Sequence, residues 1–373
     1  MWVRERAVLR RGARAARAWS RARGMRGGDA RSGSLLAVPR EQRTPDDATP
    51  TSPTVVAVVV AWNRRDLLRD ALDALAAQTR PLDGVVVVDN ASDDDSADVA
   101  RAHPLAPEVL TLTQNTGGAG GFTVGIAHAV EARGADLVWL MDDDTIPTPT
   151  ALAELLRARD AYPGPVALLG SRVVWHDGRD HPMNTPRVRP GSSAAQVAAA
   201  RAAGAVPVRS SSFVSMLVDA RAIRHHGLPV ADYFIWNDDF EYSARLLRDA
   251  TGLAVPGSVV EHRTKTFGAT DADPGERFYF EVRNKVWMLT RSAALSPAER
   301  VLYSGASVRR WARTLARSTR RGVLVRAGAR GLRDGALRRP RPTGEVLEGT
   351  GTSPEEISAL DARRPGRSAR GTA

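Results

Sequence analysis

Runs of apolar residues alternate with amphipathic stretches from residue 55 onward. Residues 55–61 read Val-Val-Ala-Val-Val-Val-Ala, which is typical of a parallel strand buried on both faces. Leucine and alanine at helical spacing predict a helix over 67–75, and further strands are predicted at 85–88, 109–112 and 137–141. Strand and helix thus alternate four times, which predicts an α/β fold with a parallel sheet and right-handed crossovers.

The pattern after residue 150 is less regular. It predicts helices over 151–161, 193–203 and 238–249 and short strands over 166–169, 173–175, 213–218 and 255–260. The helix over 193–203 lies in a stretch rich in Pro, Gly and Ala, and the chain reads as helical again from Glu276. No apolar run of 18 residues occurs, so we expect no membrane-spanning helix.

The 373-residue chain has a net charge of +11 that is concentrated at its two ends. Residues 1–52 hold 12 arginines against 5 acids, residues 300–373 hold 17 against 6, and residues 53–299 carry a net charge of −7. An acidic middle argues against a nucleic-acid-binding protein that acts through its folded core. Binding of nucleic acid by the Arg-rich ends stays as a non-enzymatic alternative, and we expect no nucleic-acid partner.

Composition divides the chain into four predicted segments: a disordered basic leader (1–52), an α/β domain (53–292), a basic helical extension (293–340) and a disordered tail (341–373). The leader lacks the apolar run that a secretory signal needs, although its Arg and Ser content also fits a transit peptide. The chain contains no cysteine, which excludes disulfides, thiolate metal sites and cysteine nucleophiles.

Three consecutive carboxylates, Asp142, Asp143 and Asp144, follow the strand predicted at 137–141. They repel one another unless a cation compensates them, and hard oxygen ligands suit Mg²⁺ or Mn²⁺. The alternative is a solvated acidic turn before the next helix. Asp89 and Asn115 also follow strands, so we expect them on the same sheet edge as Asp142.

Further candidate residues lie in a glycine-rich segment and near a later helix start. Residues 115–122 read Asn-Thr-Gly-Gly-Ala-Gly-Gly-Phe, whose backbone either approaches a phosphate or sugar or simply forms a turn. Asp239 is a candidate general base, and capping of the helix by Asn237 or Asp238 is the competing interpretation. A lone histidine such as His262 is more often structural, but beside an aspartate cluster it becomes a candidate third metal ligand.

These motifs in this order resemble the family 2 glycosyltransferases of the GT-A fold, over roughly residues 54–290. Each motif is weak alone and the ordered set is specific. The set lies at 58–64, 87–93, 115–122, 139–144 and 236–241. Within the family the chain looks most like the actinobacterial galactofuranosyl- and rhamnosyltransferases of cell-wall glycan synthesis. The resemblance implies a GT-A, Rossmann-like sheet, mixed but mainly parallel, flanked by helices and followed by a helical C-terminal extension.

The resemblance also implies roles for individual residues. Contacts with the nucleotide-sugar are implied for Ala61, Asn63, Arg64, Asp89, Asn115, Gly118, Gly120 and Asp143. Asp142, Asp144 and His262 are the implied ligands of Mn²⁺ or Mg²⁺, and Asp239 is the implied catalytic base. The implied reaction is an inverting transfer of a sugar, with galactofuranose or rhamnose favoured, from a nucleoside-diphosphate donor to a glycan or polyprenyl-linked acceptor.

The rival enzyme is a haloacid-dehalogenase-type phosphohydrolase, which also places Asp-x-Asp after a strand. It needs Thr or Val where this chain has Ile146, and a lysine before its later acidic pair, whereas both lysines here follow that pair.

The basic extension places Val301, Val308, Trp311 and Leu315 at helical spacing among arginines. Such a helix either lies on an anionic membrane surface or packs on the catalytic domain. We expect a cytoplasmic protein that is peripheral on the inner face of the plasma membrane.

Overall fold

The computed structural model describes residues 52–267 and 273–361, so the predicted leader falls outside the described residues except for Ser52. The described residues contain a ten-stranded sheet. Its strands are β1 Val55–Ala61, β2 Gly84–Asp89, β3 Glu108–Thr111, β4 Leu137–Asp142, β5 Thr145–Pro147, β6 Leu168–Val174, β7 Arg187–Val188, β8 Val206–Ser210, β9 Met216–Asp219 and β10 Gly252–His262.

The sheet is mixed and mainly parallel, as expected. Its strand order is β3-β2-β1-β4-β9-β6-β10-β8-β7, and β5 pairs with β10 beside this path. Strands β1 to β4 run parallel to one another, whereas β9 is antiparallel to both β4 and β6. Strand β6 therefore points the same way as β4, and β10 is parallel to β6. The carboxyl ends of β1, β2, β3, β4, β6 and β10 consequently share one edge of the sheet.

Helices cover both faces of the sheet. They are α1 Arg65–Ala76, α2 Ser96–Ala102, α3 Gly117–Glu131, α4 Ala151–Ala161, α5 Ala194–Ala202, α6 Ala220–His226, α7 Asp238–Leu246, α8 Phe278–Thr290, α9 Pro297–Arg317, α10 Arg321–Leu337, α11 Thr343–Val346 and α12 Pro354–Asp361. Within the described ranges, no helix combines the length and apolar character needed to cross a membrane.

The apolar run over residues 55–61 is uninterrupted because β1 is buried on both of its faces. Val56, Val58 and Val60 pack into the core beneath α3, whereas Val55 and Val59 pack into the core beneath α1 and α4. Alternate side chains of a strand point to opposite faces, so a strand covered on both sides needs apolar residues throughout.

Strand β6 is continuous, whereas the sequence pattern predicts two short strands separated by polar residues. The reason is Ser171, which is buried in the core. Its hydroxyl lies 2.7 Å from both the Ser215 and the Ser258 hydroxyls. A buried polar group whose hydrogen bonds are made does not interrupt a strand.

The prediction of a disordered tail is wrong for residues 341–361. Helices α11 and α12 lie in this stretch, and Leu347, Ile357 and Leu360 are buried in the same core as α3. The Thr113 hydroxyl also donates to the Gly349 carbonyl at 2.9 Å. Four scattered apolar residues carry too little pattern to indicate a helix, but α3 supplies the surface on which they pack. Residues 362–373 lie outside the described residues.

The basic extension is helical as predicted, but its apolar residues do not form one outward face. Trp311 and Leu315 of α9 pack against Phe278 and its neighbours. Val301 and Val308 remain 76% and 61% exposed. Helix α9 thus both packs on the domain and presents apolar side chains to solvent.

Candidate active site

The shared carboxyl edge of the sheet brings the predicted residues together. Strands β1, β2, β4 and β10 end at Ala61, Asp89, Asp142 and His262. After β4 the chain turns back and β5 pairs antiparallel with β10, so that Thr145 lies opposite His262. This pairing places the acidic turn after β4 next to the end of β10.

Asp142, Asp144 and His262 form a compact group of ligand atoms. One atom from each residue lies within 4.8 Å of the others. The Oδ1 atom of Asp144 is buried and makes no hydrogen bond among the described residues, although His262 Nε2 lies 3.1 Å from it. Two carboxylates and an imidazole suit Mn²⁺ or Mg²⁺, and a buried oxygen without a donor fits a cation site. The arrangement therefore fits the metal that the sequence suggests.

Asn184 orients His262. Its side-chain NH₂ donates to the Ser212 hydroxyl at 3.0 Å, so its oxygen faces His262 Nδ1, 2.9 Å away. Nδ1–H of His262 then donates to Asn184, so Nε2 lies on the side of Asp144, where the neutral ring would offer its lone pair to a metal. Such a partner fixes the tautomer of a metal-binding histidine. Asn184 lies in the irregular stretch after β6, where no sequence signal connects it to the site.

Burial and neighbouring charges shift the pKa values of all three residues in this group. Burial, together with the charge of Asp144, raises the pKa of Asp142 to about 6. Burial also acts to raise the pKa of Asp144, but its contact with His262 and the charge of Arg64 hold it below its usual value. The pKa of His262 lies above its usual value, since the two carboxylates outweigh the effect of burial. Negative charge is therefore confined at a place where a divalent cation would offset it.

Asp143 joins β4 to the end of β1 and shares its Arg64 partner with Asp144. Its carboxylate accepts hydrogen bonds from the Trp62 N–H at 2.9 Å and from Arg64 at 3.1 Å. Arg64 also donates to the second oxygen of Asp144 at 2.5 Å. Burial raises the pKa of Asp143 to about 7. Arg64 thus offsets the negative charge of two carboxylates, and its contact with the nucleotide stays a prediction.

Hydrogen bonds join the segments that follow β1 and β2. The Asn63 side-chain oxygen accepts from the Asp93 N–H at 2.7 Å, and the Asn63 N–H donates to the Ser92 hydroxyl at 3.1 Å. Ser92 therefore serves this turn and does not cap α2, which begins four residues later. Asp89 and Ala61 are buried at the ends of their strands. A donor role for Ala61, Asn63 and Asp89 stays a prediction.

The glycine-rich segment is held by two asparagines. The buried Asn90 accepts from the Thr116 N–H at 2.8 Å and donates to the Gly117 carbonyl at 2.9 Å, while Asn115 accepts from the Gly117 N–H at 2.7 Å. Gly117 has φ +70°, and a Cβ there would lie 2.1 Å from the Phe234 carbonyl oxygen. Glycine is required at this position because backbone and backbone approach each other directly.

Gly118 and Gly120 occupy different surroundings. A Cβ on Gly118 would meet one atom within 4 Å, the Asp238 carboxylate at 3.7 Å, so Gly118 faces the acidic pair of α7. A Cβ on Gly120 would lie 2.4 Å from the Thr116 side chain, so packing explains that glycine. Contact of either glycine with a donor stays a prediction.

Asp238 and Asp239 begin α7 beside the metal-ligand group. Burial raises the pKa of Asp239, while the charges of Lys285 and Arg187 act in the opposite direction. Burial and the adjacent Asp239 raise the pKa of Asp238 well above its usual value. Asn237 makes no capping hydrogen bond, and its side-chain amide instead donates to Glu281 at 2.9 Å. The interpretation of Asn237 as a helix cap is therefore wrong.

The backbone leading into the acidic pair is strained, and α8 holds it. Phe234, Trp236 and Asn237 have φ values of +64°, +66° and +64°, which non-glycine residues rarely adopt. The buried Asn284 amide donates to the carbonyls of Tyr233, Ile235 and Trp236 at 2.8, 2.9 and 2.9 Å. Strain of this kind persists where surrounding contacts over-determine the backbone. The sequence offers no sign of this role for Asn284.

Comparison with known proteins decides the family. The model of the family described as "Glycosyltransferase like family 2" matches residues 53–279. The chain belongs to this family. It is therefore a glycosyltransferase, which excludes the phosphohydrolase and the non-enzymatic alternatives for the folded domain.

Relatives and solved structures agree with this assignment. The glycosyltransferase is 34% identical to galactofuranosyltransferase GlfT1 of Mycobacterium tuberculosis over 269 residues, which cover 64% of this chain and 83% of that protein. It is 43% identical to GlfT1 of Mycolicibacterium smegmatis over 102 residues, 27% of this chain and 33% of that one. The structure of S. aureus TarS 1–349 shares the fold, with a TM-score of 0.52 at 15% identity, covering 79% of this chain and 83% of that chain.

Proposed function

We propose that this glycosyltransferase is metal-dependent and inverting, and that it transfers galactofuranose from a nucleoside-diphosphate donor to a glycan or lipid-linked acceptor. The observation that carries the proposal is the grouping of ligand atoms of Asp142, Asp144 and His262 within 4.8 Å of one another, close enough to Asp239 of α7 for its charge to raise the pKa of Asp142. The resemblance to GlfT1 favours galactofuranose as the sugar, and rhamnose is the second donor to test.

The residues of the site have separate tasks in this reaction. Asp142, Asp144 and His262 would hold Mn²⁺ or Mg²⁺, which supplies positive charge for the departing diphosphate. Asp239 takes the proton of the acceptor hydroxyl as the hydroxyl oxygen bonds to the anomeric carbon. The bond between that carbon and the donor phosphate oxygen breaks at the opposite face, so a single displacement inverts the configuration. Arg187 and Lys285 favour the ionised form of Asp239 that this step needs.

The test uses purified protein with UDP-galactofuranose or dTDP-rhamnose, Mn²⁺ or Mg²⁺, and a panel of octyl glycosides as acceptors. We expect transfer from UDP-galactofuranose, with inverted anomeric configuration in the product by NMR. Asp144→Asn should lose metal-dependent donor binding, whereas Asp239→Asn should bind donor and transfer at least 100-fold more slowly, in the range typical of a lost general base. Normal transfer by both variants would refute the site assignment.

We further propose that the protein binds the inner face of the plasma membrane from the cytoplasm through α9 and α10. Val301, Leu302 and Leu337 are 76%, 67% and 79% exposed, and arginines surround them on both helices. Apolar side chains among basic ones suit an anionic lipid surface. In co-sedimentation with phosphatidylglycerol vesicles, Leu302→Asp should weaken binding, whereas Val197→Asp, at a position on α5 that is 47% exposed, should not. Equal loss in both variants would contradict this surface.

A further inference from the structure

Lys285 of α8 is a buried cation close to the proposed catalytic base. Lys285 is 7% exposed. In the part of the chain that the structure describes, its ammonium group makes neither a hydrogen bond nor an ion pair within 4 Å. Its direct contact is with the ring of Phe240, whose centroid lies 5.2 Å from Nζ. Burying an ammonium without a partner is costly, so a purely structural lysine would be paired.

Two arginines from other elements share this place. The Arg187 guanidinium of β7 lies 4.9 Å from the ring centroid of Phe240 and 5.6 Å from that of Tyr303. Arg310 of α9 lies 3.9 Å from the Glu281 carboxylate. Burial lowers the pKa of Lys285 to about 8; the charge of Glu281 opposes this, and the charges of Arg310 and Arg187 add to the lowering. Three positive groups are therefore near one another, and both arginines are largely exposed to solvent.

The neighbouring carboxylates do not balance these cations. Glu281 already accepts from the Asn237 amide at 2.9 Å and from the Trp311 indole at 3.3 Å. Asp239 acts as the proton acceptor in the proposed reaction and directly precedes Phe240. Three cations against these two acids leave an excess of positive charge that a further anion would offset, and arginine and lysine together are suited to phosphate.

We propose that Lys285, Arg187 and Arg310 bind the phosphate or diphosphate group of a lipid-linked acceptor beside the catalytic base. This inference rests on the proposed function. Arg310 belongs to α9, the helix whose exposed Val301 and Leu302 form part of the proposed membrane surface, so the phosphate of the acceptor would lie at the cluster and its sugar at Asp239. The donor diphosphate has a separate place, at the metal-ligand group at the ends of β4 and β10.

The test measures binding of farnesyl phosphate, farnesol and inorganic phosphate by calorimetry, with the donor site saturated by UDP and Mn²⁺. We expect farnesyl phosphate to bind more tightly than either control compound. Lys285→Met and Arg187→Gln should each raise its Kd at least tenfold and leave the Kd of UDP unchanged. Arg187 is exposed, so its variant tests the cluster even if Lys285→Met fails to fold. Arg309→Gln, on the same turn of α9 as Arg310, is the matched control and should bind normally.

Several outcomes would overturn the inference: an unchanged Kd in the Arg187 variant, the same loss in the Arg309 variant, or equal binding of inorganic phosphate and farnesyl phosphate. Transfer of galactofuranose to neutral octyl glycosides is measured in parallel. Absence of transfer by the unmodified protein would refute the proposed function. Transfer to neutral acceptors with unaltered farnesyl phosphate binding in the variants would refute the phosphate site alone.

Discussion

Replacing Asn284 by alanine tests whether the strained backbone before α7 aims Asp239. The amide donates to three carbonyls but has two N–H hydrogens, so its removal leaves about two buried hydrogen bonds unmade. At about 1–3 kcal/mol for each buried acceptor without a donor, the free energy of unfolding should fall by about 2–6 kcal/mol. The left-handed conformations of Trp236 and Asn237 each cost roughly 1–3 kcal/mol, which favours relaxation of the freed segment.

Relaxation of this segment should act on catalysis separately from stability. A displacement of the base by about 1 Å can cost on the order of 100-fold in rate. The metal-ligand group proposed to hold the donor diphosphate lies on other elements, at the ends of β4 and β10. Asn284→Ala should therefore lower kcat by about 100-fold while the Kd of UDP stays the same. Both quantities are measured well below the melting temperature of the variant, with chemical denaturation giving the free energy of unfolding.

The control is Thr290→Ala, an exposed position at the end of the same helix. It should leave kcat, Kd and the free energy of unfolding nearly unchanged. If Asn284→Ala is destabilised but the folded enzyme retains its kcat, the amide serves packing alone and the positioning argument is wrong. If donor affinity falls in parallel with kcat, the disturbance has spread beyond α7.

Three further changes test the packing and the charges around the site. Gly117→Ala should destabilise the protein and impair transfer, because its Cβ would lie 2.1 Å from the Phe234 carbonyl oxygen; an unchanged melting temperature would contradict this. Leu360→Ala should cost about 2–5 kcal/mol of unfolding free energy in urea titration, as expected for a fully buried leucine. Although partial burial opposes it, bonding to Arg209 lowers the pKa of Glu299 to about 2 from 4.5. Because the folded pKa is the lower one, this stabilisation is present above pH 4.5 and lost as pH falls toward 2, and Glu299→Gln should flatten the melting temperature over that window.

The sequence predicted those parts of the molecule that depend on local pattern. The apolar run of β1 predicts a strand buried on both faces without further information, because every residue in it is apolar. Asp89, Asn115 and the acidic turn after β4 could be placed on one edge because strands of a parallel sheet end together. The approach of His262 to that turn depends on the pairing of β5 with β10, which follows from no short motif.

The rest depends on contacts between distant positions. Asn184 is 78 residues from the histidine that it orients, and the Asn284 amide reaches carbonyls about 50 residues away. Neither residue stands in a distinctive pattern, because an asparagine side chain gives the same local signal in a turn, a cap or a buried network. The helices after residue 341 were missed for a related reason, since their few apolar residues gain meaning only against α3.

The packing of α11 and α12 on α3 has a consequence for biosynthesis. The bonded pair Thr113 and Gly349 is separated by 236 residues. At synthesis rates of about 5–20 residues per second, a nascent chain exposes the face of α3 for roughly 10–50 s before its covering segment exists. Gly120, which lies against Leu347 in the finished fold, and His128, which pairs with Glu356, are uncovered throughout this interval. We therefore expect chaperones to bind the ribosome-associated chain until residues 343–361 have emerged and packed on α3.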